Sequence, residues 1–167
     1  MTDTGADSPA HADREIPSAL NTLYREVILD HYRKPRNKRA LDDATHAITM
    51  SNPLCGDVIE LLLRVESERI IEACFLGRGC SISQASVSML TGRVLNKTPA
   101  EVLALSRKFT RLLHGDDSLI SDSELGDLRA LAGVSKFPVR IKCALLGWNC
   151  IEELAKGETL VTGSPSK

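Results

Sequence analysis

The sequence has few aromatic residues, no excess of charge of either sign and no long apolar run. Its 167 residues include 3 Phe, 1 Trp and 2 Tyr, and 21 Lys and Arg stand against 22 Asp and Glu. A near-neutral chain lacks the strongly basic surface that general nucleic-acid binding requires, so we expect no nucleic-acid partner. No apolar stretch approaches the ~20 residues that span a bilayer, and the N-terminus lacks the apolar core of a secretory signal. We therefore expect a cytoplasmic protein with no membrane segment.

The sequence also lacks any pair of cysteines separated by two residues, and its five cysteines are an odd number. A disulfide framework is not expected in a reducing compartment, so metal binding or thiol chemistry explains the cysteines better. Cys74 falls in a predicted strand and Cys150 late in a predicted helix, where a lone cysteine is usually a small buried apolar residue. The thiols of Cys55, Cys80 and Cys143 remain to be explained.

The composition along the chain predicts one domain over residues 18–157 between two disordered tails. Residues 1–17 are rich in Asp, Ala, Ser, Pro and Thr, and residues 158–167 follow a glycine that is suited to end a helix. Neither tail carries recognisable chemistry. Any function is therefore expected to lie within the domain.

The hydrophobic pattern within this domain predicts an α+β fold, a small antiparallel sheet of about three strands packed by helices. Alternating apolar residues predict strands with one buried face, and in the third strand they assign Ile71, Ala73 and Phe75 to the core. Strands that precede most of the helices are typical of this class. The predicted strands are 46–51, 58–65 and 70–76, with a hairpin turn at 66–69 between the last two. The predicted helices are 18–33, 83–95, 98–113, 123–132 and 138–156, and Thr98 and Glu101 form a predicted capping box at the start of the third.

Each of the three remaining thiols falls in a segment where sites are often built. Cys55 and Asp57 flank a glycine on the loop between the first two predicted strands. Cys80 directly precedes a helix, where the positive helix end lowers a thiol pKa. Cys143 lies in the first turns of the last helix, beside the basic residues Arg140 and Lys142, which also favour the thiolate.

Three thiolates and one carboxylate make a complete tetrahedral shell for zinc, so Cys55, Asp57, Cys80 and Cys143 are candidate metal ligands. The same thiols are suited to hold an iron–sulfur cluster or to carry sulfur covalently. A zinc-stabilised binding module without thiol chemistry is a further interpretation. Because the intervals between the cysteines are long, spacing alone leaves these alternatives open.

Residue type and spacing assign no role to three other features of the sequence. Residues 33–39 contain five basic residues, which suit either a docking patch for an acidic partner or a solvated loop. Residues 116–127 are acidic. His31 falls on the apolar side of the first helix, which favours a hydrogen-bonded, partly buried histidine over a metal ligand.

The motifs around these residues resemble those of the U-type iron–sulfur assembly proteins, the NifU N-terminal and IscU-like family, over roughly residues 18–157. The first helix and the Pro-Arg-Asn run at 35–37 also resemble the family. The three motifs occur in the family's order: NPLCGD at 52–57, GRGCSIS at 77–83 and FPVRIKC at 137–143.

Two departures from the IscU-type scaffolds are similar to the SufU branch. Lys142 stands where those scaffolds carry a histidine, and the interval from Cys80 to Cys143 is lengthened around the acidic segment. A lysine that is protonated near pH 7 offers no lone pair to a metal. The substitution therefore removes a cluster ligand.

The resemblance to SufU implies a SufE/NifU-like fold and a zinc-dependent sulfurtransferase, an enzyme acting with a SufS-type cysteine desulfurase that depends on pyridoxal phosphate. Zn²⁺ would be held by Cys55, Asp57, Cys80 and Cys143. Cys55 would accept persulfide sulfur after a desulfurase histidine displaces it from zinc, for use by downstream iron–sulfur assembly proteins. Arg140 would lie near the metal or contact the partner. The alternative is a scaffold that holds a transient iron–sulfur cluster on the same cysteines.

Overall fold

The computed structural model describes residues 18–157, with side chains from residue 21, and the tails expected at 1–17 and 158–167 lie outside the described residues. The order of elements confirms the predicted α+β class. The helices are α1 (Ser18–Arg33), α2 (Ser81–Arg93), α3 (Pro99–Leu113) and α4 (Pro138–Ala155), with 3₁₀ helices at Asp117–Ser121 and Ser123–Lys136. The strands are β1 (His46–Asn52), β2 (Asp57–Glu66) and β3 (Arg69–Arg78).

The three strands form one antiparallel sheet in the order β1-β2-β3. The predicted hairpin between β2 and β3 is confirmed, and Ser67 and Glu68 at its tip both have positive φ, as a type I′ turn requires. The assignment of Ile71 to the core was wrong. The pairing shifts between Arg64 and Val65, which leaves Ile71 as the extra residue of a bulge and exposes it, while Ile70 takes the buried position.

The sheet is also covered in part on the face that was expected to be solvated. Leu41, Leu62 and the thiol of Cys74 form a small second cluster there, beneath the segment that leads from α1 to β1. The main core lies on the other face, where Ile59, Leu61 and Phe75 are fully buried against the helices. Cys74 is therefore the buried apolar residue that the sequence predicted.

The helices pack in two layers on the main face of the sheet. Helix α4 contacts β1 and β2, and α2 lies among α1, α4 and β3, so nearly all of α2 is buried rather than one stripe. Helix α3 begins with the predicted capping box, in which the Thr98 side chain and Glu101 bond each other's main-chain N–H groups. Within residues 18–157 no helix has the length and apolar character needed to cross a membrane.

The segment between α3 and α4 differs from the α-helix predicted at 123–132. It is a 3₁₀ helix that extends to Lys136 and is broken at Gly126, where φ is 55° and ψ is −132°. This backbone conformation is open mainly to glycine. The segment packs on α1, α2 and α3 and brings the chain to the start of α4, which carries one of the three candidate thiols.

Candidate metal centre

The loop between β1 and β2 presents Cys55 and Asp57 in different environments. Asn52 pairs with Asp57 across the two strands, so the four residues between them form a short hairpin loop. Gly56 has a φ of 74°, which lets the chain turn directly after Cys55. The side chain of Cys55 is exposed at the tip of this loop, whereas Asp57 at the start of β2 is only 1% exposed.

The other two thiols lie at the N-terminal ends of helices. Cys80 is the N-cap of α2, and its sulfur accepts the main-chain N–H of Ser83 at 3.5 Å. Cys143 lies in the second turn of α4 and is 2% exposed. Both are held by regular secondary structure.

The three segments bring three of the four predicted ligands into one group and place the fourth, Cys80, beside it. One ligand atom each from Cys55, Asp57 and Cys143 lies within 4.8 Å of the others. The Cys55 and Cys143 sulfurs are 3.5 Å apart, and Asp57 Oδ2 lies 3.4 Å from the Cys55 sulfur. Cys80 lies outside this group of three, although the same carboxylate oxygen lies 3.6 Å from its sulfur.

These distances fit a tetrahedral zinc site. Zn–S bonds of about 2.3 Å and Zn–O bonds of about 2.1 Å at tetrahedral angles place two sulfurs ~3.8 Å apart and a sulfur and an oxygen ~3.6 Å apart. The observed separations of 3.4 to 3.6 Å are close to these values. The donor set, three sulfurs and one carboxylate oxygen, is also one that zinc accepts.

The electrostatics of the cluster favour a bound cation. Burial raises the pKa of the Cys143 thiol well above its usual range, and the neighbouring Cys55 and Cys80 raise it further. Burial also acts to raise the pKa of Asp57, but hydrogen bonds from the Cys80 N–H and the three thiols outweigh it, so this pKa is lowered. Crowded anionic ligands repel one another, and a divalent cation removes that repulsion.

The position of the Asp57 carboxylate depends on a close approach to Gly79. Asp57 Oδ1 accepts the main-chain N–H of Cys80 at 3.0 Å. A Cβ added at Gly79 would lie 2.5 Å from that oxygen and 2.7 Å from the Ser83 hydroxyl. Glycine is therefore required here to let β2 and the start of α2 meet.

Arg140 lies one turn before Cys143 on α4 and has an exposed side chain. It lines a cavity of about 570 Å³ together with Ser81, the neighbour of Cys80, and with Tyr24 and Phe137. None of the four candidate ligands lines this cavity. The role of Arg140 near the metal or at a partner interface remains a prediction.

His31 is buried away from the thiol cluster. Its ring nitrogens lie 2.8 Å from the Ser88 hydroxyl and 2.8 Å from Asp127 Oδ2. The histidine thus joins α1 to α2 and to the acidic segment 116–127. This is the hydrogen-bonded, buried position that the helical spacing favoured.

The basic segment 33–39 is bound to the body of the protein rather than being a simple solvated loop. Arg36 pairs with Asp30 at 2.7 Å, and Arg39 pairs with Glu72 at 2.5 Å. These exposed pairs are worth little stability individually. They nevertheless direct two of the five basic side chains toward partners within the chain.

Asn52 is a residue of the site to which residue type and spacing assigned no role. This last residue of β1 is 9% exposed and accepts hydrogen bonds from the loop that carries Cys55. An Asn-Pro pair at the end of a strand is a known signal for a turn and was available in the sequence.

Cys150 is fully buried in the main core, as predicted, where burial raises its pKa to about 12.

Residues 23–144 match the family of the NifU-like N-terminal domain. The zinc-dependent sulfurtransferase SufU of Bacillus subtilis (strain 168) is 47% identical over 143 residues, which cover 83% of this chain and 94% of that protein. The iron–sulfur cluster assembly scaffold protein IscU of Streptococcus pyogenes serotype M1 is 42% identical over 139 residues, covering 83% and 86%.

A solved structure shares the fold as well. The crystal structure of FiSufU from Fervidobacterium islandicum AW-1 aligns with a TM-score of 0.70 and 27% identity, covering 77% of this chain and 93% of that one. The family match extends from α1 into α4 and includes all four predicted ligands. The chain therefore belongs to the family of the NifU-like N-terminal domain.

Proposed function

We propose that this protein is a zinc-dependent sulfurtransferase that serves iron–sulfur cluster assembly. The observation that carries the proposal is the grouping of Cys55, Asp57 and Cys143, with the Cys80 sulfur 3.6 Å from the same Asp57 carboxylate oxygen, at separations suited to the ligands of a zinc ion. Only Cys55 among the four is exposed. Similarity to a sulfurtransferase of Bacillus subtilis supports the activity, and the relatives named for cluster assembly support the process.

The proposed donor is the persulfide of a SufS-type cysteine desulfurase. Zinc, held by Cys55, Asp57, Cys80 and Cys143, would keep the thiols deprotonated. The Cys55 thiolate attacks the outer sulfur of the donor persulfide, whose S–S bond breaks as its electron pair goes to the donor thiolate. A new S–S bond forms on Cys55. One bond replaces the other, so the exchange needs no external oxidant or reductant.

Exposure decides which thiol accepts the sulfur. A donor persulfide can approach the Cys55 sulfur at the tip of the hairpin loop, whereas Cys143 is enclosed by α4 and its neighbours. Arg140 is proposed to contact the donor protein or to influence the release of Cys55, because it is exposed one turn before Cys143 and lines a cavity with Ser81, the neighbour of Cys80. Downstream assembly proteins would then take the sulfur in the cytoplasm.

The proposal is tested with a SufS-type desulfurase by measuring cysteine-dependent alanine release. Wild-type protein should stimulate release, and Cys55→Ala should abolish the stimulation because the acceptor is lost. Cys74→Ala is the matched control, since that thiol lies in the separate cluster behind the sheet. Mass spectrometry should show one added sulfur atom on Cys55. Full stimulation by Cys55→Ala would refute the assignment.

A scaffold for a transient cluster is the second candidate function. It is favoured by the same three converging thiols and by the 42% identity to the IscU scaffold of Streptococcus pyogenes. Lys142 argues against it, because its exposed ammonium group adds no fourth cluster ligand beside Cys143. Reconstitution with iron and sulfide distinguishes the two functions, since a scaffold should form a coloured species that passes its cluster to an apo-protein.

A further inference from the structure

We propose that Asn52 is a positioning residue that presents the Cys55 sulfur by holding the loop of residues 53–56. The inference rests on the proposed role of Cys55 as the sulfur acceptor. It concerns a residue outside the metal-ligand set.

Every main-chain N–H of this loop is bound by Asn52. Its Oδ1 accepts the N–H of Leu54 at 3.0 Å, and its main-chain oxygen accepts those of Cys55 at 3.2 Å and Gly56 at 2.8 Å. Pro53 has no N–H to donate. Because Asn52 is nine-tenths buried and is paired with Asp57 in the sheet, it is a rigid support for a loop that is otherwise at the surface.

Apart from the contacts of the Cys55 sulfur with Asp57 and Cys143, the loop has little other support. The Leu54 side chain is 75% exposed, and Cys55 is exposed as well, so neither is held by the core. Gly56 has positive φ and open space around the position of a Cβ. The loop can therefore change conformation between Asn52 and Gly56 without displacing the other three candidate ligands, which lie in β2, α2 and α4.

The side-chain oxygen of Asn52 is the contact that mutation can remove selectively. Without it, the Leu54 N–H must find water, and the loop populates other conformations in which Cys55 turns away from Asp57 and Cys143. The loss of one hydrogen bond of ordinary net strength shifts such a local equilibrium about fivefold. The Cys55 sulfur then becomes correspondingly more accessible.

Asn52→Ala and Asn52→Ser form a matched pair for the test. They leave nearly the same space, but the serine hydroxyl still accepts an N–H two residues along the chain. The readout is the rate at which iodoacetamide alkylates Cys55 in zinc-loaded full-length protein, with Cys143 as the internal reference. Asn52→Ala should be alkylated at Cys55 about fivefold faster than wild type, and Asn52→Ser near the wild-type rate.

Equal rates in Asn52→Ala and wild type would overturn the inference, and so would fast alkylation in Asn52→Ser. If the smaller side chains unfold the protein, Asn52→Asp keeps the size and the accepting oxygen, and fast alkylation of that folded variant would also overturn it. The readout does not require a desulfurase. Sulfur transfer that survives in Cys55→Ala would refute the proposed function and leave the loop result standing.

Discussion

Gly79→Ala should weaken metal binding by displacing the carboxylate of Asp57. The new Cβ would lie 2.5 Å from Asp57 Oδ1 and 2.7 Å from its Cγ. Reaching an ordinary contact of 3.4 Å requires the oxygen to retreat by about 0.9 Å. Asp57 has little freedom to yield, because it begins β2 opposite Asn52. The movement stretches the 3.0 Å hydrogen bond from the Cys80 N–H and shifts Oδ2, which faces the thiols.

The size of the effect follows from the contacts that are lost. Overpacking of a buried site costs about 1–3 kcal/mol, and a hydrogen bond to a charged group contributes about 1.5–3 kcal/mol. The two costs overlap, because relieving the clash is what breaks the hydrogen bond. Metal-free Gly79→Ala relieves the clash by moving the carboxylate aside, so zinc binding must bring the carboxylate back at a cost of about 2–3 kcal/mol. At 1.4 kcal/mol for each factor of ten, this weakens zinc binding by about thirty- to a hundred-and-fortyfold.

Competition with a chromophoric chelator measures the zinc affinity of Gly79→Ala directly. Gly92→Ala is the matched control, since a Cβ at this other glycine, within α2, would have no neighbour within 4 Å. This control should bind zinc like the wild type and be slightly more stable, because alanine favours a helix. If Gly79→Ala binds zinc within threefold of the wild type, the carboxylate is not the ligand that the reasoning requires.

Three further predictions concern the thiols. In native metal-free protein, iodoacetamide should label Cys55 well before Cys74 and Cys150, because burial raises the pKa of the Cys74 and Cys150 thiols. Equal labelling of the three cysteines in peptide mass spectra would contradict the burial of Cys74 and Cys150. Mild oxidation after zinc removal should join Cys55 to Cys143, whose sulfurs are 3.5 Å apart; bound zinc should prevent this crosslink on non-reducing peptide maps. Lys142→His should slow the decay of visible absorbance of a reconstituted cluster, and an unchanged lifetime would show that this side chain does not face the site.

The sequence predicted the secondary structure best where a local signal determines it. The capping box at Thr98 and the two-residue hairpin after Glu66 were both recognised from residue type and spacing. The bulge at Ile71 was not, because the alternation continues through it and only the pairing with β2 shows the shift. The helix predicted at 123–132 was wrong for a similar reason. Gly126 adopts a backbone conformation that interrupts the segment, and the spacing of the apolar residues does not indicate this conformation.

The sequence indicated the candidate ligands of the site but not the contacts that support them. The family motifs named the thiols and Asp57, and their proximity is now visible in the distances between ligand atoms. The need for glycine at position 79 arises from a contact between β2 and the start of α2, which are distant in sequence. The hydrogen bonds of Asn52 likewise depend on how its loop turns, and a list of residue types does not contain that geometry.

In the proposed function, the distribution of the candidate ligands over the fold would separate retention of zinc from delivery of sulfur. Asp57, Cys80 and Cys143 belong to a strand and two helices that share the core, so their positions change only if packed elements move. Cys55 belongs to a loop held chiefly through Asn52, so its position changes at the cost of a few hydrogen bonds. Substitutions in the helices and strands should therefore lower zinc affinity first, whereas those in the loop should alter sulfur acceptance while most of the zinc stays bound.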